Sequence, residues 1–196
     1  IITIFDEIKV GMGRTGYLFS FMEYDLEPDI LTISKSLGGG TRAIGAMITT
    51  NKLFKTAYGT RATAALHSTT FGGIGTTCEV AIESLKIISD SLFLEDVRKK
   101  GDYFVSELQK LQKEFPKKIK NILGKGLFLG IELIFPAESL KSSLNNKIIK
   151  TRDQFFIASI INALYKNHDI LSSFAPSSPE VLDICPPLIV EYDDID

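Results

Sequence analysis

Apolar positions fall into short unbroken runs in the first third of the chain and into helical steps of three and four beyond about residue 75. The first run predicts a buried strand over 1–8 that ends in the carboxylates Asp6 and Glu7. GMGRTG (11–16) predicts a glycine-rich loop free to take positive backbone angles. YLFSFMEYDL (17–26) predicts a short helix. Pro28 forces an extended entry into a second buried strand, 29–34, which is followed by Lys35 and a glycine triplet. AIGAMITT (43–50) predicts a further strand, small on one face and apolar on the other, and NKLFKTAY (51–58) a short helix.

After the loop ALHSTTFGGIG (65–75), Val80, Ala81, Ile82, Leu85 and Ile88 recur at helical spacing. A long helix is expected from about Leu92 to Phe115, with Phe104, Leu108, Leu111 and Phe115 on one face, lysine and glutamate on the other, and Pro116 ending it. GLFLGIEL (126–133) alternates as a strand. Residues 137–151 are polar and lysine-rich, a loop or an exposed helix start. An amphipathic helix is expected over 152–167 around Phe155, Phe156, Ile160, Ile161 and Leu164. DILSSF (169–174) and VLDICPPLIV (181–190) predict strands, with Pro186-Pro187 confining the second to a sheet edge or to an end at the prolines. The order predicts an α/β part followed by a smaller α+β part. No internal repeat or low-complexity tract is present.

The 196 residues suit one or two domains, and 44% apolar content suffices for a core. A formal net charge of -2 gives no reason to expect a nucleic-acid or membrane-surface partner. No apolar run reaches the length of a membrane span, and no signal peptide is seen. Cys78 and Cys185 show no disulfide framework; both read as small buried hydrophobes in a reduced, cytoplasmic setting. The chain opens inside a strand and stops at acidic residues resembling a first helical turn, so it reads as a piece of a longer protein.

The chemistry lies in one pair. A carboxylate (Asp6) and an amine (Lys35) at the ends of two buried strands are what a pyridoxal phosphate enzyme needs. The amine forms an imine with the cofactor aldehyde, and the carboxylate keeps the pyridine nitrogen protonated so the ring accepts electrons. No metal is called for. Other polar residues read as structural: Arg14 as a loop ion pair, His67 as packing or a loop hydrogen bond. Gly38-Gly39-Gly40 lacks P-loop spacing and reads as a close-packed turn.

FDEIKVGMGRTG, EPDILTISKSLGGG, HSTTFGG and GKGLFLGIEL occur in that order. Together they strongly resemble the class III (omega) aminotransferases of the fold type I pyridoxal phosphate family, over nearly the whole chain. The resemblance implies an α/β fold: part of the large cofactor-binding domain over 1–91, including the start of the interdomain helix, then a small, incomplete α+β C-terminal domain over 92–196. It implies pyridoxal 5'-phosphate as cofactor. Lys35 matches the catalytic lysine, Asp6 the partner of the pyridine nitrogen, and Ile8 the branched residue against one ring face. Thr70 matches the threonine that reaches the cofactor phosphate of a neighbouring subunit, which implies a homodimer with shared active sites.

Two positions depart from the family pattern. Lys9 stands where a glutamine contacts the cofactor's phenolic oxygen. Asp183 stands where an arginine grips a substrate carboxylate, which points to a donor whose distal end is an amine or neutral. The expected function is transfer of an amino group from an amine or amino acid (a diamine such as putrescine, or an ornithine- or acetylornithine-like donor) to a 2-oxo acid. A racemase or aminomutase of the same fold and a catalytically inert fragment are the alternatives. The piece alone is expected to bind cofactor poorly and to be marginally stable, because a partial sheet leaves strand edges and apolar faces uncovered.

Overall fold

A computed structural model describes residues 1–135, 146–175 and 177–196; the expectation for 137–145 lies outside these. Contacts divide the chain into two compact units, Ile1–Val97 and Arg98–Asp196.

In the first unit, β1 (Ile4–Asp6) pairs in parallel with β2 (Ile30–Ile33), and β2 pairs antiparallel with β3 (Ala46–Thr49). The parallel register is fixed at its start by Asp29, whose Oδ2 accepts from the Thr3 backbone N–H at 2.8 Å and the Thr3 hydroxyl at 3.0 Å. These bonds, the backbone one first, hold the Asp29 carboxyl below its ordinary range. β2 buries Leu31 and Ile33, as expected of a central strand. β1 corrects the expectation of a buried strand over 1–8: it spans three residues, and Ile4 is 62% exposed. Within the described residues it has one neighbouring strand, so only one flank is covered. Met47 and Ile48 of the other outer strand are also about half exposed.

Residues 17–26 supply only a 3-10 turn at Ser20–Tyr24 in place of a helix. α1 (Asn51–Tyr58) begins where Thr50 accepts from the Leu53 N–H, a side-chain N-cap. α2 (Gly75–Ile88) buries Ala81, Ser84 and Ile88. Gly39 packs against it at φ +57, and a Cβ there would lie 2.6 Å from Ser84 Oγ, so the turn is close-packed at Gly39, while a Cβ at Gly40 would meet nothing within 4 Å.

α3 (Ser91–Glu114) is capped by Asp90, whose Oδ1 accepts from the N–H groups of Leu92 and Phe93. The second unit is a four-stranded antiparallel sheet in the order β4-β5-β7-β6. Its strands are β4 (Ile119–Lys125), β5 (Phe128–Leu133), β6 (Ser173–Ala175) and β7 (Ser178–Ile184), with α4 (Asn146–His168) between β5 and β6. Its core gathers Leu108 of α3, Ile119, Leu129, Ile131, Phe135, Ile157 of α4 and Leu182.

Three expectations change here. β4 was not expected from the sequence. β7 runs over Ser178–Ile184 in place of 181–190; it ends before the proline pair, as one of the two expected alternatives has it, and lies inside the sheet with β6 on the edge. The buried face of α4 centres on Ile157 with Ile160, Ile161 and Leu164, while Phe155 is 72% exposed. Cys185 is exposed, not buried; neither cysteine is in a disulfide. Among the described residues no helix is long and apolar enough to cross a membrane.

On the sheet, Glu132 accepts from Lys120 Nζ and from Asn121 Nδ2, each at 2.6 Å. The lysine bond first, then the asparagine bond, holds its carboxyl below the ordinary range. A folded pKa below the unfolded one contributes stability above the unfolded pKa, and the contribution disappears as pH falls through the folded value. Glu132→Gln is therefore expected to lower the urea midpoint at neutral pH, with the gap to wild type closing as the solution is acidified. A gap that ignores pH would show that the glutamate's charge contributes nothing.

Candidate active site

The site begins at the carboxyl ends of β1 and β2. In open α/β sheets ligands bind in the crevice outside the carboxyl ends of the strands. Asp6 is the last residue of β1, opposite Thr32. Its Oδ1 accepts from the Ile8 N–H at 3.0 Å and from the Thr32 hydroxyl at 3.3 Å. Its Oδ2 accepts nothing from the described residues. The carboxylate is thus oriented through one oxygen, and the other remains available to a cationic N–H.

Lys35 follows β2 after one intervening residue, Ser34, and opens a 3-10 turn, Lys35–Gly38, at φ 47. Its side chain is exposed, and its ammonium makes no hydrogen bond or ion pair with a described residue. The fold therefore brings Asp6 and Lys35 to the same ends of neighbouring parallel strands. The residue types fit a cofactor with an aldehyde and a basic ring nitrogen: an anion with one uncommitted oxygen, and an uncommitted amine.

Lys35 also lines an open hollow of about 440 Å³ with Ser34, Arg42, Ala43, Ile44 and Gly45. The Ser34 hydroxyl donates to the Ile44 carbonyl at 2.7 Å, which ties the returning segment beside the lysine. Asp6 is not among the residues lining that hollow.

Glu7, adjacent to Asp6, is a residue whose role the sequence did not reveal. It is 4% exposed, and its carboxylate accepts from the Ser20 N–H at 2.9 Å and the Phe21 N–H at 3.0 Å. Its own N–H donates to the Thr32 carbonyl. A Cβ at Gly11 would lie 2.7 Å from the Glu7 carbonyl oxygen. Glu7 therefore pins the loop that follows Asp6 onto β2 and onto the turn at Ser20. The acidic doublet ahead of a glycine loop was the available signal.

The remaining sequence-derived positions lie as follows. Ile8 is half-buried beside Asp6, and Lys9 is exposed on the same loop. Thr70 is exposed on a turn closed by the Gly72 N–H to the Thr69 carbonyl, in a loop anchored where the Tyr58 hydroxyl meets His67 Nδ1 at 2.7 Å. His67 is thus a loop hydrogen-bond partner. Asp183 belongs to the second unit. It sits on β7 between Gly130 and Ser173, and its Oδ2 accepts from the Ser173 hydroxyl at 3.2 Å. No group of three or more metal-ligating side chains occurs among the described residues.

The family described as Aminotransferase class-III matches residues 1–196. The acetylornithine aminotransferase of Methanocaldococcus jannaschii is 36% identical across 100% of this chain, which covers 42% of that protein. The succinylornithine transaminase of Photorhabdus laumondii is 37% identical across 98% of this chain and 42% of that protein. Among solved structures, an acetylornithine aminotransferase from Elizabethkingia anophelis aligns with a TM-score of 0.78 at 26% identity, over 100% of this chain and 43% of that one. An (S)-enantioselective omega-transaminase from Thermomicrobium roseum aligns with a TM-score of 0.80 at 25% identity, over 100% of this chain and 41% of that one. The chain spans less than half the length of these relatives.

Proposed function

This chain belongs to the class-III aminotransferase family, and on that basis we propose that the intact protein is a pyridoxal 5'-phosphate-dependent aminotransferase. Its fold is part of a fold type I α/β large domain followed by a small α+β domain. The proposed boundaries are 1–91 and 92–196; the division of contacts between Val97 and Arg98 supports a boundary early in α3. The amino group passes from an amine or amino acid to a 2-oxo acid. The names of the relatives favour an ornithine- or acetylornithine-like donor. Asp183, an acid bonded to Ser173, favours a diamine such as putrescine, because it repels a carboxylate and attracts an ammonium.

One observation carries this reading: Asp6 Oδ2 and Lys35 Nζ, both uncommitted among the described residues, end adjacent parallel strands. When bound, pyridoxal phosphate supplies an aldehyde that carries nitrogen and a cationic ring that accepts electrons. Asp6 keeps a proton on the ring nitrogen by placing a negative charge beside it. Lys35 would hold the cofactor at its aldehyde through Nζ, and the same amine would take a proton from the donor carbon and return it. On the loop set by Glu7, Ile8 would pack against the ring face and Lys9 would donate to its phenolic oxygen. Thr70, on its exposed turn, donates to the phosphate of the neighbouring subunit in a homodimer with shared active sites. The setting is cytoplasmic.

Borohydride reduction of the cofactor-loaded intact protein, followed by peptide mapping, tests this. Attachment at Lys35 is expected. Attachment at another lysine, or none, would overturn the assignment.

A further inference from the structure

We propose that Arg42 is the residue that recognises the carboxylate of the substrate, an inference that rests on the aminotransferase reading. Every 2-oxo acid acceptor carries a carboxylate, whatever the donor, and Asp183 cannot bind one through charge. The hollow beside Lys35 is lined by two cationic side chains, Lys35 and Arg42, and by no acid. At about 440 Å³ it is large enough for a small oxo acid.

Arg42 is held in place by its backbone. Its N–H donates to the Gly38 carbonyl at 3.1 Å, and the Thr41 N–H donates to the same oxygen at 3.0 Å. Two residues on, Ile44 is fastened to Ser34 through the hydroxyl bond. The chain is therefore pinned on both sides of Arg42, next to the residue that precedes Lys35. The guanidinium is nearly uncommitted. Its one contact with a described residue is a 3.4 Å bond from Nη1 to the Thr41 carbonyl. Glu79 and Glu83 line an adjoining hollow that Arg42 also borders, but Glu83 is taken by Lys86 at 2.6 Å, and neither acid pairs with Arg42. A planar fork of N–H donors with no acid attached, beside a second cation, matches a carboxylate in charge and in geometry. Loss of that match removes a charge-assisted contact, which corresponds to about 10- to 100-fold in affinity.

The test uses the cofactor-loaded intact protein and its Arg42→Gln and Arg42→Lys variants. 2-Oxoglutarate serves as the carboxylate-bearing acceptor, glutarate as a non-reacting carboxylate probe and 1,4-diaminobutane as a donor without a carboxylate. Arg42→Gln is expected to raise the KM for 2-oxoglutarate and the Kd for glutarate about 10- to 100-fold. That loss should exceed any change for the diamine by at least about tenfold, and Arg42→Lys should recover part of it. Equal changes for all three compounds, or none, would overturn the proposal. So would a fall in affinity for pyridoxal phosphate at unchanged carboxylate discrimination, which would assign Arg42 to the cofactor phosphate. Should Arg42→Gln not fold, glutarate protection of Arg42 from phenylglyoxal in the wild-type protein decides: protection supports the site, and its absence refutes it. Glutarate binding that depends on Arg42 in a protein that never takes up cofactor would leave the carboxylate site standing and remove the aminotransferase reading. Transamination with a KM indifferent to Arg42 would do the reverse.

Discussion

Lys35→Ala in the intact protein is expected to abolish the proposed amino transfer, lowering turnover by at least about 10³-fold, the scale of a lost general acid–base group that would also be the covalent anchor. The cause is chemical and not structural. The Lys35 side chain is exposed and bonds to no described residue, so removing it breaks no contact that holds β1 to β2. The Ser34–Ile44 bond and the 3-10 turn that follows lie in the backbone and in a neighbouring side chain, and both persist. The variant should therefore keep its circular dichroism spectrum and urea midpoint while it loses the absorbance band of cofactor held at an amine. Single-turnover mixing with donor, followed by absorbance, reads the rate directly. A residual rate within tenfold of wild type would remove Lys35 from the chemistry and with it the reading built on its pairing with Asp6.

Gly101→Ala is expected to cost the second unit about 3 kcal/mol or more, at the upper end for an inserted methyl that the surroundings cannot absorb. At Gly101, α3 crosses the turn between β4 and β5 backbone against backbone. A Cβ there would lie 2.5 Å from Gly126 Cα, 2.6 Å from its carbonyl carbon and 2.7 Å from its oxygen. None of these atoms is the end of a flexible side chain. Gly126 is itself buried at φ +56, a conformation that leaves it little freedom to retreat. The helix must lift, and lifting it pulls Leu108 from the core shared with Ile119, Leu129 and Ile157. Urea unfolding of the intact protein followed by tyrosine fluorescence measures the loss. A change below about 1 kcal/mol would show that α3 can slide over the hairpin without unpacking its apolar face.

Elements whose limits are written in local chemistry were legible. α1 runs over the expected 51–58 because Thr50 caps it, and α3 ends just short of Pro116. The placement of Asp6 and Lys35 at the same ends of neighbouring strands could be anticipated because polar groups stand out where apolar runs stop. What failed depended on contacts between distant residues. β4 was hidden by an irregularity in pairing between Ile119 and Asn121, which breaks the alternation that marks a strand. Phe155 looked like a core residue by type, yet the angular position of Ile157 on the helix decides which face is covered. Glu7 carried no role of its own in the sequence because nothing local shows that Ser20 and Phe21 return to it. The hollow at Arg42 exists only because the chain folds back onto Ser34.

The left-handed backbone at Lys35 sets protein engineering against chemistry. An L-residue with a side chain held at φ 47 costs on the order of 1 kcal/mol that glycine would not incur. Selection for heat tolerance alone would accordingly favour glycine at position 35 and enrich robust, inert variants. Any thermostabilisation campaign on this protein needs an activity gate at that codon from its first round.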